Sequence, residues 1–287
     1  MCRYFFVIAL VKLQEIKETL STHRLRLTQS LGQNFLHDRN QLRRIAEAAD
    51  LVSGDQVLEI GPGLGALTQS LIEKGAVVLA VEKDHRLYEL LENRCGDCAN
   101  LTLAHEDALA YLRNRRQDWS HWKLVSNLPY SVASPILVEM AQANGCPKRM
   151  VATVQWEVAR RLVASAGDPD YGLLTLLIRL RYDAAGWFKI PATCFFPVPK
   201  VDSACVTLVR RREPLLSPDQ AETFERIVKR GFSQRRKVML KLLKTDWPVD
   251  RLTQAYRELG LAPDVRGEKV SLEQFVELTR RLHLPQL

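Results

Sequence analysis

No apolar run in this sequence approaches the ~20 residues a helix needs to cross a bilayer, so no membrane association is expected. The apolar segment Tyr4 to Val11 is short, and the charged stretch Lys12 to Lys17 follows it directly. No small-residue cleavage pattern appears there, which argues against a secretory signal. An added N-terminal strand or helix, or a start codon placed too early, would each account for the segment. Cysteine is sparse. Cys2, Cys95, Cys98, Cys146, Cys194 and Cys205 are scattered, and only Cys95 and Cys98 form a C-x-x-C pair. A structural zinc site usually needs four ligands, and no second pair at ligand spacing follows, so no metal is expected. Reduced thiols in a cytoplasmic protein are the expectation. There is no internal repeat.

What is present is an ordinary globular composition. The chain has 287 residues, 46% hydrophobic and 26% charged, enough for one large domain and a small one. A net charge of +8 and a pI of about 9.3 suit an anionic partner, nucleic acid first, although many basic proteins merely carry solvated basic faces.

From residue 56 to 155 short β-rich runs alternate with amphipathic helical stretches. Gln56 to Ile60, Ala76 to Val81, Leu101 to Ala104, Lys123 to Ser126 and Met150 to Val154 read as strands. Leu64 to Lys74, His85 to Arg94 and Ser134 to Ala143 read as helices. Near-continuous apolar strands interleaved with helices predict a doubly wound, Rossmann-like α/β sheet covered on both faces. Leu173 to Tyr182 and Ala204 to Arg210 are expected to complete it, joined through the Pro-rich stretch Phe195 to Pro199. Beyond the linker-like Arg211 to Ser217 come four helical patterns, Asp219 to Phe232, Arg235 to Lys244, Val249 to Leu259 and Ser271 to Leu282. The predicted organisation is therefore an N-terminal lead-in over 1–28, a catalytic domain over 29–212 and a small helical domain over 213–287.

Glu59-Ile60-Gly61-Pro62-Gly63-Leu64-Gly65 ends the first long strand and opens a helix. Glycines there allow a sharp turn and close approach of a ligand to free helix N–H groups. Gly61, Gly63 and Ala66 also satisfy the relaxed dinucleotide fingerprint, so alone the loop means only a nucleotide-like cofactor or a tight turn. Glu82 ends the next strand, where a carboxylate can accept from ribose hydroxyls, and this residue does not exclude NAD. Asp107, placed to accept from an adenine amine, and Glu59, placed to hold a methionine ammonium, favour S-adenosylmethionine.

Asn127-Leu128-Pro129-Tyr130 ends the fourth of these strands. Adenine N6 is a poor nucleophile because its lone pair is delocalised into the ring. An Asn side-chain oxygen and the Leu128 carbonyl, accepting both N6 hydrogens, would localise that pair for attack on a methyl group. Pro129 would stiffen the turn that aims the carbonyl, and Tyr130 could stack on an unpaired base. No strong general base is needed, since the nitrogen becomes acidic once alkylated.

These residues resemble the ribosomal RNA adenine N6,N6-dimethyltransferases, in particular the bacterial small-subunit branch. Ser30-Leu31-Gly32-Gln33-Asn34-Phe35-Leu36 is similar to the family's N-terminal motif. Val154-Gln155, Glu157-Val158-Ala159 and Asp170-Tyr171-Gly172 resemble its central region. Phe195, Pro197, Pro199, Lys200, Val201, Asp202 and Ser203 resemble its F-x-P-x-P-K-V-x-S signature, and Phe232 to Lys237 the opening of its C-terminal domain. The resemblance implies that Asn34, Leu36, Glu59, Gly61, Gly63, Glu82, Asp107 and Asn127 bind adenosylmethionine. It implies Phe195 as a second aromatic partner for the target base, opposite Tyr130. The implied substrate is a pair of adjacent adenosines in the 3′-terminal hairpin loop of 16S rRNA, met in the small ribosomal subunit or its precursor by a monomer. His105-Glu106 before Asp107 departs from the usual Gly, and Trp156 stands where the family often has Lys. Arg235, Arg236, Lys237, Lys241 and Lys244, with Arg210 to Arg212, could follow RNA phosphates, and a solvated helix face explains them equally well. Two rivals remain at this stage: a large-subunit rRNA methyltransferase and a binding factor that has kept the fold without its chemistry. The four intact polar residues Glu59, Glu82, Asp107 and Asn127 weigh against the second.

Overall fold

The computed structural model describes residues 13–23, 25, 32–115, 117–143, 145–234 and 236–284. It divides into two compact units: one comprises Met1–Ala159 with Ala184–Arg210, the other Arg160–Asp183 with Arg211–Leu287. No helix among the described residues is long and apolar enough to cross a membrane.

In the first unit α1 (Leu13–Thr22) precedes β1 (Phe35–Leu36), α2 (Arg39–Ala48), β2 (Gln56–Ile60), α3 (Ala66–Glu73) and β3 (Val77–Glu82). Then follow α4 (His85–Cys95), β4 (Leu101–His105), α5 (Ala108–Asn114), β5 (Lys123–Asn127), α6 (Ala133–Gln142), β6 (Arg149–Gln155) and α7 (Trp156–Val163). After α8 (Leu173–Arg179) the chain returns through β7 (Tyr182–Ile190), β8 (Phe195–Phe196) and β9 (Ser203–Arg210). Seven strands form one sheet in the order β4-β3-β2-β5-β6-β9-β7. The strands from β4 to β6 run parallel, and β9 lies antiparallel to β6. Runs of consecutive buried residues in β2, β3, β5 and β6 show that both faces of the sheet are covered. The expected Rossmann-like α/β sheet is present, with this antiparallel member at one side.

The connections from β2 lead outward through β3 to β4, whereas β5 and β6 lie on its other side. The order reverses between β2 and β5, and a crevice outside the strand ends at such a switch point is where α/β sheets bind ligands. Helices start there on side chains that satisfy otherwise orphaned N–H groups. Asp84 caps α4 through Arg86 N, and Asp107 caps α5 through Leu109 N and Ala110 N.

Two segments depart from expectation. Leu173 to Arg179 is a helix, α8, and the strand begins only at Tyr182. A short continuous apolar run suits a buried helix as well as a buried strand. Here Leu176, Leu177 and Ile178 are buried, and the Thr175 hydroxyl accepts from Gly172 N in the first turn. The run also belongs to the second unit rather than to the sheet, so residues 160–183 leave the span predicted for the catalytic domain.

The second unit continues with α9 (Pro218–Gly231), α10 (Met239–Leu243), α11 (Val249–Glu258) and α12 (Leu272–Leu282). Ser217 and Ser271 start α9 and α12 with capping boxes closed by Gln220 and Gln274. Its core joins Phe224, Val228, Met239, Leu252 and Phe275, and the Tyr171 hydroxyl donates to Val270 O at 2.9 Å. The expected helix Arg235 to Lys244 shortens to α10. Met239 N donates to Val265 O at 2.9 Å, so the backbone there is held from outside the helix and Arg236 and Lys237 fall in the preceding turn. Arg235 lies outside the described residues.

Candidate active site

Gly61, Gly63 and Gly65 all take left-handed backbone conformations between β2 and α3. At two of these positions a side chain has no room. A Cβ on Gly63 would come within 2.9 Å of the Phe35 ring, and one on Gly61 within 3.1 Å of Pro129 Cγ. The glycines thus let the loop close against the Gln33–Leu36 segment on one side and the Asn127–Tyr130 turn on the other. The loop is pinned by Gly61 N donating to Val81 O at 2.9 Å and by Ser126 Oγ donating to Ile60 O at 2.6 Å.

One cavity is lined by Asn34, Leu36, Glu59, Gly61, Gly63, Glu82, Asp107, Asn127, Leu128, Pro129 and Tyr130. Every residue expected to contact the cofactor therefore meets there, and so does the whole Asn-Leu-Pro-Tyr turn. Phe35, Lys83 and Leu109 share its wall, although nothing in residue type alone marked them.

The acids are not equivalent. Burial raises the Glu59 carboxyl to about 8, against a hydrogen bond from Thr68 Oγ1 at 2.7 Å, and the charge of Glu82 adds to the rise. Glu82 is raised too, chiefly by burial, while Gly63 N and Asp84 N donate to it at 3.1 and 2.9 Å. Asp107 is lowered, first by Lys83, whose Nζ stands 2.9 Å from Oδ2, then by backbone donors at the start of α5. Two buried carboxyl groups, with no salt-bridged cation against either among the described residues, make this part of the cavity suited to a positively charged ligand that would favour their ionised form.

Asn127 is held in one orientation. Its Nδ2 donates to Asn34 O at 3.0 Å, while Asn34 Nδ2 donates to Gly32 O at 3.1 Å. Rotating the Asn127 amide would set two oxygens against each other, so the contact fixes which atom is Oδ1. That Oδ1 is buried and has no hydrogen-bond partner. A buried acceptor left open costs about 1–3 kcal/mol, so its presence in a cavity wall points to a donor supplied by a ligand.

Tyr130 lines the cavity with its hydroxyl 2.6 Å from Ser203 Oγ, and burial, opposed by that bond, raises its pKa. Phe195 is not its partner across the cavity. It is 1% exposed, pairs with Leu36 where β8 meets β1, and packs in the core with Leu42, Ile45 and Cys205. Successive side chains of a strand point to opposite faces, and in the doublet Phe195-Phe196 the first is the one turned inward. Arg210 and Arg211 are also occupied. Arg210 donates to Cys146 O, and Arg211 to Arg179 O while pairing with Asp183. Arg236 and Lys237 are exposed in the second unit.

A glycine loop and an acidic strand end at the switch point, facing an Asn-Pro turn on the neighbouring strand, is the build of a Rossmann-like methyltransferase. The solved structure of the 23S rRNA methyltransferase ErmE superposes with a TM-score of 0.67 at 30% identity, covering 86% of this chain and 99% of that one. A dimethyladenosine transferase from Plasmodium falciparum shares the fold, with a TM-score of 0.70 at 23% identity over 84% of this chain and 94% of its own. The Ribosomal RNA small subunit methyltransferase A of Streptococcus pneumoniae (strain P1031) is 37% identical over 276 residues, 93% of this chain and 95% of the relative. The model of the ribosomal RNA adenine dimethylase family matches residues 24–284, and the chain belongs to that family.

Proposed function

We propose that the protein uses S-adenosylmethionine to dimethylate N6 of two adjacent adenosines in the 3′-terminal hairpin loop of 16S rRNA, in the cytoplasm during small-subunit assembly. The observation that carries this reading is the oriented, unpartnered Asn127 Oδ1. Adenosylmethionine, when bound, supplies an electrophilic methyl group. Glu59 would take its ammonium, Glu82 its ribose hydroxyls and Asp107 its adenine amine, with Gly61 and Gly63 giving it close access to backbone. Asn34 and Leu36 would cover it from β1 and the segment before it. Asn127 Oδ1 and the Leu128 carbonyl would accept the two N6 hydrogens and turn the lone pair outward. Pro129 stiffens the turn that presents that carbonyl, and Tyr130 provides a ring for the target base. Arg236 and Lys237, with Arg235, are assigned to rRNA phosphates. The relatives named as small-subunit methyltransferases support the 16S substrate, and the likeness to a 23S rRNA enzyme makes large-subunit rRNA the second reading. Primer extension on rRNA from a deletion strain decides between them. Loss of two adjacent stops in small-subunit rRNA is expected. Loss of a stop in large-subunit rRNA instead selects the second reading, and unchanged rRNA overturns both.

The raised Glu59 pKa gives a pH prediction. In the free protein Glu59 keeps its proton up to about pH 8, and an arriving ammonium favours the ionised form. Cofactor binding below that pH therefore releases a proton, and affinity should rise by up to about tenfold per pH unit before levelling near pH 8. Calorimetry in buffers of different ionisation enthalpy measures the released proton directly. Glu59→Gln should bind more weakly and lose the dependence. A wild-type affinity flat from pH 6 to 8 rules out the ammonium role.

A further inference from the structure

Among the described residues, Trp187 is the one aromatic in the set of exposed large apolar side chains, at 50% exposure. It lies on β7, which ends the sheet, and most of the residues of that strand are exposed. An indole offers an apolar ring with a polar edge, the kind of side chain enriched where a protein meets a partner. Trp187 meets Trp156 edge-on, with ring centroids 5.1 Å apart. Lys189 Nζ lies 5.7 Å from the Trp156 ring and 2.7 Å from the Asp202 carboxylate, and Lys200 is exposed in the loop before Asp202.

This pair connects to the reaction centre through a short series of bonds. Trp156 N donates to Asp202 O at 3.0 Å, and the next residue, Ser203, meets the Tyr130 hydroxyl. The same Ser203 pairs in register with Gln155, the residue before Trp156. We propose that Trp156 and Trp187 form a stacking subsite for an unpaired base of the rRNA that presents the target adenosine, with Lys200 beside its phosphate. The inference rests on the proposed function for the identity of the RNA. An exposed indole against a partly buried one, beside the Lys189 ammonium and tied through Asp202 and Ser203 to Tyr130, fits an RNA strand better than an apolar protein face.

The test is titration of the full-length protein with a short single-stranded RNA of mixed sequence, followed by tryptophan fluorescence. Wild-type emission should be quenched, and Trp187→Phe and Trp156→Phe should each remove part of the quenching while keeping most of the affinity. Trp187→Ala should weaken RNA binding by about five- to a hundred-fold at both low and high salt. Lys200→Ala should instead lower the salt slope by about one. Cofactor affinity serves as the check on folding. Unchanged RNA affinity in Trp187→Ala overturns the subsite, as does a self-association that this variant abolishes without changing RNA binding. Because this readout needs no turnover, quenching by RNA in a protein that leaves 16S rRNA unmodified would sink the proposed substrate and keep the subsite.

Discussion

Asn127→Ala is expected to slow methyl transfer about a hundred- to a thousand-fold while leaving cofactor affinity within a few-fold of wild type. The magnitude is that of deleting one preorganised polar contact that acts mainly in the transition state. The split follows from the geometry. One Nδ2 hydrogen is held by Asn34 O, which fixes the amide, and the buried Oδ1 is the acceptor left open to a ligand. Asn127→Asp should be no rescue. It removes the donor to Asn34 O and turns a carboxylate oxygen toward that carbonyl. Single-turnover transfer from labelled adenosylmethionine to undermethylated small subunits, beside a cofactor titration, measures both quantities. If affinity falls as far as turnover, Asn127 shapes the cofactor cavity and does not activate the base.

The second large effect lies at the opposite ends of the strands. Asp55 precedes β2 and is buried with Lys123, at the start of β5, whose Nζ is 2.8 Å away, and Lys148 Nζ approaches its other oxygen at 2.7 Å. Burial opposes its charge, but the two ammonium groups outweigh this and hold the carboxyl at about 2. Asp55→Ala leaves the Lys123 ammonium buried without its carboxylate and should cost about 3–5 kcal/mol. The depressed pKa sets the sign with pH. This contribution is present in full above the ordinary carboxylate value near 4 and is lost as pH falls from there through about 2. Urea unfolding followed by tryptophan emission, to which Trp119, Trp122, Trp156 and Trp187 all contribute from the first unit, reads the loss. A midpoint equal to wild type at pH 7 would mean that the lysines reach solvent when Asp55 is gone.

Most of the parallel sheet and its ligand loop were legible because strand period and glycine placement are local properties. Near-continuous apolar runs bounded by helices leave few arrangements for β2 to β6, and a glycine-rich turn at a strand end has a short list of uses. Three features were not legible, each because a tertiary contact decided between equal local options. Leu173 to Arg179 carries no period that separates helix from strand, and its place in the helical core settled it. Phe195 and Phe196 differ only in which face of β8 they occupy, which pairing with β1 determines. The cations from Arg236 to Lys244 look like one helix until Met239 N is taken by Val265 O.

The grip on Asn127 is made by the main chain of residue 34. A peptide carbonyl is present whatever side chain hangs beside it, so substitution at position 34 leaves that grip chemically intact, and position 127 has no such latitude. Alanine scanning would therefore weigh the two residues very unequally even though they meet in one bond. Exchanging the amide of residue 127's partner peptide for an ester by chemical ligation, which weakens the carbonyl as an acceptor, would reach the contact that genetic change cannot. The steadiest part of this reaction centre is thus the part that sequence drift has least power to alter.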